Sequence, residues 1–432
     1  MMKLTADEQA MLDGKEGKAK QKAMDLLVRY GEALGAERLV DTKNVCGTVG
    51  ASTPFLREYG QKRGGMDAVF SEFNLDSAEV VEIPKVAVFS SHLQHGIDPE
   101  HAQRQGIPVE VVKLHRRGEA YAAGLGINLL NTCAPYTVGN VPVKGEHCAW
   151  MESSAVIYIN SVLGARTNAE GRESAGSAML TGKIPYWGYH IEQNRFGTHH
   201  IELDIDVEST ADWGLLGYYI GEAVQDRVPV VTGIRNLPNL PRLKHFGAAA
   251  ASSGGIEMYH MVGITPEAPS LEAAFGLKPG KRRPQETIRY GKAERRKAYE
   301  AANVTATSRN VDFIMLGCPH YTIEQIWEVC KLLEGRKLNP NTEMWIFTPR
   351  QTAHLAAQNG YTKIIAEAGA HLMSDTCSAM GRLIPKGARV AAADSVKQAH
   401  YLPAIMGIEC WFGTTEDCVN AAVSGCWNGG LE

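Results

Sequence analysis

Two hydrophobic rhythms alternate along this chain. Residues 5–36 carry the 3.6-residue spacing of amphipathic helices, with Thr5 and Glu8 set as a capping box and Gly14 dividing the stretch in two. From about residue 38 to 135, short apolar runs (RLVDT, KVAVFSS, VEVVKL, GINLL) alternate with turn-rich and helical stretches, the layering of an α/β protein. HHIELDIDVE alternates strictly, placing Ile201, Leu203, Ile205 and Val207 on one face of a strand, and TADWGLLGYYIGEAV follows as a helix. Next come VPVVTGI, the helical piece PNLPRLKHFGAAAA and a strand IEMYHMVGI. Beyond residue 310 the pattern repeats: DFIML, EMWIFTP, HLM, RVAAAD and ECWF each lead through a loop into a turn or helix. Such β–loop–α units predict parallel sheets with sites at the strand C-termini. A length of 432 residues supports two or three lobes, drawn here at 1–135, 136–305 and 306–432.

Composition narrows the classes. Hydrophobic content of 44% with 21% charged residues is that of an ordinary globular protein. With 44 Lys+Arg against 48 Asp+Glu, the net charge of −4 gives no general pull toward nucleic acid. One basic stretch, KPGKRRPQETIRYGKAERRK (278–297), stands apart, either as solvated surface or as a dock for a phosphate group or a partner protein. No apolar run reaches the roughly 18 residues of a membrane span, and MMKLTADEQAMLDG carries acidic residues where a signal peptide would be apolar. A cytoplasmic location is the expectation.

Nine scattered cysteines without a C-x-x-C pair speak for metal, catalysis or packing rather than a disulfide framework. Cys318 lies between the end of the strand Asp312–Leu316 and a helix capped by Thr322, where N–H groups and the helix dipole favour a thiolate. Cys133 follows the run Gly126–Leu130 in the tightly turned NTCAPYTVGN, and Cys377 in SDTCSAMG follows a short strand among hydroxylated residues that can tune a cluster sulfur. Cys330 shares a helix face with Ile326 and Leu333 and reads as core; Cys410, Cys418 and Cys426 read as structural, and Cys148 stays open. Three loop thiols would leave one iron of a cluster without a protein ligand, the requirement for Lewis-acid work on a substrate hydroxyl.

The segments around these thiols carry a resemblance. CAPYTVGNVPVKGEHCAWMESSAVIYINSVLGARTNAEG (133–171), TGKIPYWGYHIEQNRFG (181–197), LGCPH (316–320), SDTC (374–377) and DSVKQAHYLP (394–403) resemble, in order and across nearly the whole chain, the large catalytic subunit of the aconitase X family. That family includes phosphomevalonate dehydratase large subunits and cis-3-hydroxy-L-proline dehydratases. The resemblance implies an aconitase-like, multi-lobed α/β core of β–α units with parallel sheets. It implies an iron–sulfur cluster, [4Fe-4S] or [2Fe-2S], held by Cys133, Cys318 and Cys377 with one open iron position, and a hydro-lyase reaction on a small hydroxy acid. It also implies a small swivelling domain supplying a catalytic serine; the chain stops at Glu432 without one, so a separate small subunit is expected.

Further residues carry over by position. Glu152, Ser153 and Lys397 match catalytic positions, and Gly47, Thr48 and Val49 match a substrate turn. There the chain departs from the family, with Asn44-Val45-Cys46-Gly47-Thr48-Val49 in place of His-x-Ser-Gly-Val-Ser or His-x-Asp-Gly-Cys. A second substrate loop, elsewhere Thr-Thr-Leu-Asn, becomes Ser91-His92-Leu93-Gln94-His95, which makes Gln94 and His95 candidate contacts. Simpler roles stand beside these: Glu152 as a helix-end charge, Lys397 as a surface-seeking stem, His95 as an ordinary hydrogen-bonded ring, Cys46 as packing, and Arg166 as either a carboxylate clamp or a structural ion pair. Three other readings remain: an aconitase-like isomerase, a non-catalytic iron-sensing or RNA-binding protein, and a redox enzyme using the cluster for electron transfer.

Overall fold

The structure is a computed structural model describing residues 2–48, 81–277 and 284–431; Val49 and residues 278–283 of the basic stretch lie outside the described residues. Three parallel sheets organise the chain. Phe89–His92, Asn44–Gly47 and Cys148–Trp150 form the first, in that order. The second runs His260–Met261, Pro229–Thr232, His199–Leu203, Glu286–Tyr290. The third has five strands, His371–Ser374, Glu343–Thr348, Phe313–Leu316, Val390–Ala393 and Glu409–Phe412. Only Leu39–Asp41 and Lys183–Pro185 pair antiparallel among the described strands. The fully buried strands of the third sheet, such as FIML and VAAA, are continuous apolar runs because helices cover both faces.

The helices fall where their caps put them. Thr5 and Glu8 close a capping box on Ala6–Leu12, and Lys18–Ala33 follows. Ser209–Asp212 caps Thr210–Val224, and Thr322–Gln325 caps Ile323–Leu333. No helix among the described residues is long and apolar enough to cross a membrane. Three expectations need correction. VEVVKL is no strand but the start of the 16-residue helix Val109–Gly124, with Pro108 at its N-cap presetting φ. GINLL contributes a single bridge, Ser91 to Asn128. IEMYHMVGI pairs only over His260–Met261, because side chains of the π-helical turn Ile159–Leu163 take its earlier backbone groups: Asn160 donates to Glu257 O at 3.0 Å and Ser161 Oγ accepts from Tyr259 N at 2.9 Å. The described part of the basic stretch is ordered as the edge strand Glu286–Tyr290 and the helix Lys292–Ala302, where Arg295 Nε donates to Asp212 at 2.7 Å.

The helices Thr210–Val224 and Leu240–Gly254 touch backbone to backbone. A Cβ on Gly221 would meet Ala250 O at 2.7 Å, and one on Gly254 would meet Gly221 O at 2.0 Å. Only glycine fits either place.

One buried carboxyl gives the fold a pH dependence. Burial pushes Glu170 up to about 7, with the nearby Glu257 charge adding to the rise while Ser174 and Tyr30 donate to it. A carboxyl whose folded pKa is raised binds extra protons in the folded state. Its contribution is therefore fully present below about pH 4.5 and lost as pH rises through about 7. Glu170→Gln should remove up to about 3 kcal/mol of that pH-dependent loss. Relative to those of the variant, urea midpoints of wild type should fall between pH 5 and pH 8, the difference isolating Glu170 from the other buried groups that titrate there.

Candidate active site

The C-terminal edges of the first and third sheets face each other. Cys318 follows the central strand Phe313–Leu316 through Gly317, whose φ of +94° and the 2.2 Å that would separate its Cβ from Phe347 O leave room for no other residue. Cys377 follows His371–Ser374 and caps the short helix Ser378–Gly381, its Sγ accepting from Met380 N at 3.4 Å. Cys133 accepts from His320 N at 3.3 Å, and Ser395 hydrogen-bonds Cys318. Each thiol keeps only 7–8% exposure.

Burial pushes all three thiols up to about 12, and in each case a neighbouring sulfur adds to it: Cys318 on Cys133, Cys377 on Cys318, Cys133 on Cys377. The three thiols therefore lie close enough to influence one another. Burial is the largest influence on Cys318 and raises it, so the neighbouring helix start does not by itself make it a thiolate. A bound metal would deprotonate it outright.

His320 fastens the three loops together. Its Nε2 donates to Thr376 O at 2.8 Å, so Nδ1 accepts from Thr132 Oγ1 at 2.9 Å. Burial lowers the ring to about 4, which keeps it in this one neutral form. Lys244, fully buried, donates to Pro319 O, His320 O and Gln325 Oε1 at 3.1, 2.6 and 2.6 Å, bracing the Cys318 loop from the helix Leu240–Gly254. Neither residue stood out in the sequence. The signals were a lysine on an otherwise apolar helix face and a histidine inside LGCPH.

Beside the thiols lies a buried ion pair. Lys397 Nζ donates to Glu152 Oε1 at 2.7 Å, and their side chains are 12% and 16% exposed. Burial alone would lower Lys397, but Glu152 outweighs it and raises the ammonium; burial would raise Glu152, and Lys397 brings it below the usual carboxylate range. Glu152 stands at the N-cap of Ser153–Tyr158 without capping it. Its carboxylate instead takes Lys397, Ser154 Oγ at 3.0 Å and the Gln94 side chain. Lys397 does not reach for the surface.

The other expected residues divide. Ser153 opens the helix and is half-buried. Gly47 ends its strand opposite His92, and Thr48 Oγ1 donates to His92 Nε2 at 3.1 Å, since Nδ1 of that ring donates to Leu93 O. Cys46, paired between Ser91 and Trp150, feels Glu152 and Cys133 and is raised by burial to about 12. His95 stacks on His92, their centroids 4.5 Å apart. Arg166 is not brought to this set: it donates to His190 O at 3.1 Å and faces Glu192 at 3.9 Å. Cys330 packs in the core with Ile326 and Leu333, as its helical spacing predicts.

The donor set can be tested against a metal group. Tetrahedral zinc would hold thiolates about 3.8 Å apart. Among the described residues, the sulfurs of Cys133, Cys318 and Cys377 do not form a set within 4.8 Å of one another. Three neighbouring buried thiols, with N–H groups aimed at two of the sulfurs, suit an iron–sulfur cluster.

Comparison with known proteins agrees with this geometry. Family models for the aconitase X first, second and third domains match residues 1–193, 197–300 and 311–424. The phosphomevalonate dehydratase large subunit of Methanocaldococcus jannaschii is 35% identical over 422 residues, 96% of this chain and 99% of the relative. The cis-3-hydroxy-L-proline dehydratase of Pseudomonas aeruginosa is 32% identical over 441 residues, covering 99% of this chain and 71% of the relative. The crystal structure of Thermococcus kodakaraensis aconitase X in its holo-form superposes with a TM-score of 0.79 at 30% identity, covering 98% of this chain and 100% of that one. This chain belongs to the aconitase X family and is a hydro-lyase of the dehydratase kind.

Proposed function

We propose that the chain removes water from a small hydroxy acid at the pocket formed by Cys133, Cys318, Cys377, Glu152 and Lys397. The observation that carries this is the convergence of three mutually sensing thiols beside a buried Lys–Glu pair. The three cysteines would hold an iron–sulfur cluster, [4Fe-4S] or [2Fe-2S], which when bound supplies a Lewis-acid position for the leaving hydroxyl.

The chain's own groups do the rest. Lys397 presents a positive charge, held by Glu152, to the substrate's anionic group, and in this largely buried setting that charge is screened less than in water. Glu152 holds the ammonium in place, with Gln94 donating to the same carboxylate. Because that carboxylate is already engaged by Lys397, Ser154 and Gln94, it is a poor base for the substrate proton. The base comes from outside this chain, and a serine on a small partner subunit fills that role; the relatives' name "large subunit" supports such a partner. Substrates of the mevalonate 5-phosphate or cis-3-hydroxy-L-proline type fit the relatives' names. The rewritten loops at Gly47–Thr48 and Gln94–His95 set the specificity apart from both, with Val49 assigned to the same turn by position.

Co-expression with a small subunit, anaerobic purification and mass analysis of the products test the reading. Loss of one water from the substrate is expected. Products of unchanged mass would make the enzyme an isomerase, and an inactive assembly with each of these substrates would overturn the substrate class.

A further inference from the structure

Behind the substrate loop lies a second group of ligand atoms. The helix Val109–Gly124 carries His115 and Glu119 one turn apart on a single face, and His95 arrives from the loop that follows the strand Phe89–His92. His115 Nε2 lies 3.7 Å from Glu119 Oε2, and His95 Nε2 lies 3.8 Å from Glu119 Oε1. These are too long for hydrogen bonds. Both Nε2 atoms are buried without a hydrogen-bond partner, and the His115 side chain is only 3% exposed. Two buried imidazole nitrogens that face one carboxylate without hydrogen-bonding it leave a cost that a shared cation would remove.

We infer that His95, His115 and Glu119 form a binding site for a divalent transition-metal ion, distinct from the three-cysteine centre. The three ligand atoms all lie within 4.8 Å of one another. Donors around tetrahedral zinc sit about 3.3 Å apart, so the three side chains would draw together on binding an ion. Two imidazoles and one carboxylate select zinc or ferrous-type ions over magnesium or calcium, and leave coordination positions open. Burial lowers both rings, His115 to about 4, so they are neutral and ready to ligate near pH 7. Arg350 also faces the site, and its charge opposes a cation. It is engaged by Glu119 Oε1 and by Asp375, which leaves Oε2 facing His115. Asn131 Nδ2 donates to Glu119 Oε1 at 3.0 Å, fixing the carboxylate.

The site has access to solvent. Glu119 lines a cavity of about 1020 Å³ with Asp98, Arg350, Gln351, Ser374 and Asp375. Its ion would tie the Ser91–His95 segment, one of the two loops where the chain departs from its family, to the helix behind it. Asn131 and Asp375 stand two residues ahead of Cys133 and Cys377, so the ion would also brace both of those loops.

The test uses cluster-loaded enzyme, with iron and acid-labile sulfide measured so that the cysteines are not vacant, titrated with zinc chloride by calorimetry. One saturable equivalent per chain is expected, weakened at least about 100-fold in His115→Asn and in Glu119→Gln, with cluster content unchanged. Glu119→Gln keeps the side-chain volume should His115→Asn fail to fold. No saturable zinc binding by the wild type, or unchanged binding in both variants, would overturn the inference. Because the readout is zinc binding and not turnover, it is independent of whether the dehydration reading holds.

Discussion

Cys318→Ser, purified without oxygen, is expected to lose most of its iron and acid-labile sulfide and to turn over at least about 10³-fold more slowly, since a Lewis-acid metal supplies several kcal/mol to the departure of hydroxide. Cys133→Ser and Cys377→Ser should behave alike, because the three sulfurs face one pocket. The polypeptide should remain folded: the ties from His320 to Thr132 and Thr376, and from Lys244 to the Cys318 loop, do not pass through sulfur. Cys330→Ser is the control. It lies in a helix core away from the pocket and should keep its full iron. A complete iron complement in all three pocket variants would end the cluster assignment.

Lys397→Met should cost both stability and activity, for separable reasons. Removing the ammonium strands the buried Glu152 carboxylate, and breaking such a pair costs about 3–5 kcal/mol. Adding Glu152→Gln removes the stranded charge, so the double variant should recover most of the denaturation midpoint. Activity should not return, because the positive charge that meets the substrate anion is still missing; a loss of about 10²-fold or more in kcat/KM is expected for both proteins. If the double variant regained turnover along with stability, the pair would be a structural brace and no more.

How much of this was legible beforehand follows physical lines. The five strands of the third sheet were readable because buried parallel strands are uninterrupted apolar runs between polar loops, as in FIML before Gly317. The capping boxes at Thr5 and Thr322 marked helix starts, since their side chains bond locally. VEVVKL misled because a six-residue run with only Val and Leu as apolar positions carries no period long enough to separate helix from strand, and the deciding residues lie further along. In the pocket, the cysteine positions came from motifs, and so did Glu152 and Lys397. What no local pattern held was the pairing of Glu152 with Lys397, 245 positions apart. The same is true of His320 spanning loops that hold Thr132 and Thr376, and of Lys244 reaching into the Cys318 turn. Such contacts exist only once the sheets are assembled.

The glycine contact between Thr210–Val224 and Leu240–Gly254 bears on that last residue. Where two helices meet main chain to main chain, their separation is set by hard-sphere limits that no rotamer change can relax. The helix that carries Lys244 is thereby seated like a strut with no play at its far end. The separation of these two helices is thereby fixed, and with it the seat from which Lys244 braces the turn bearing Cys318.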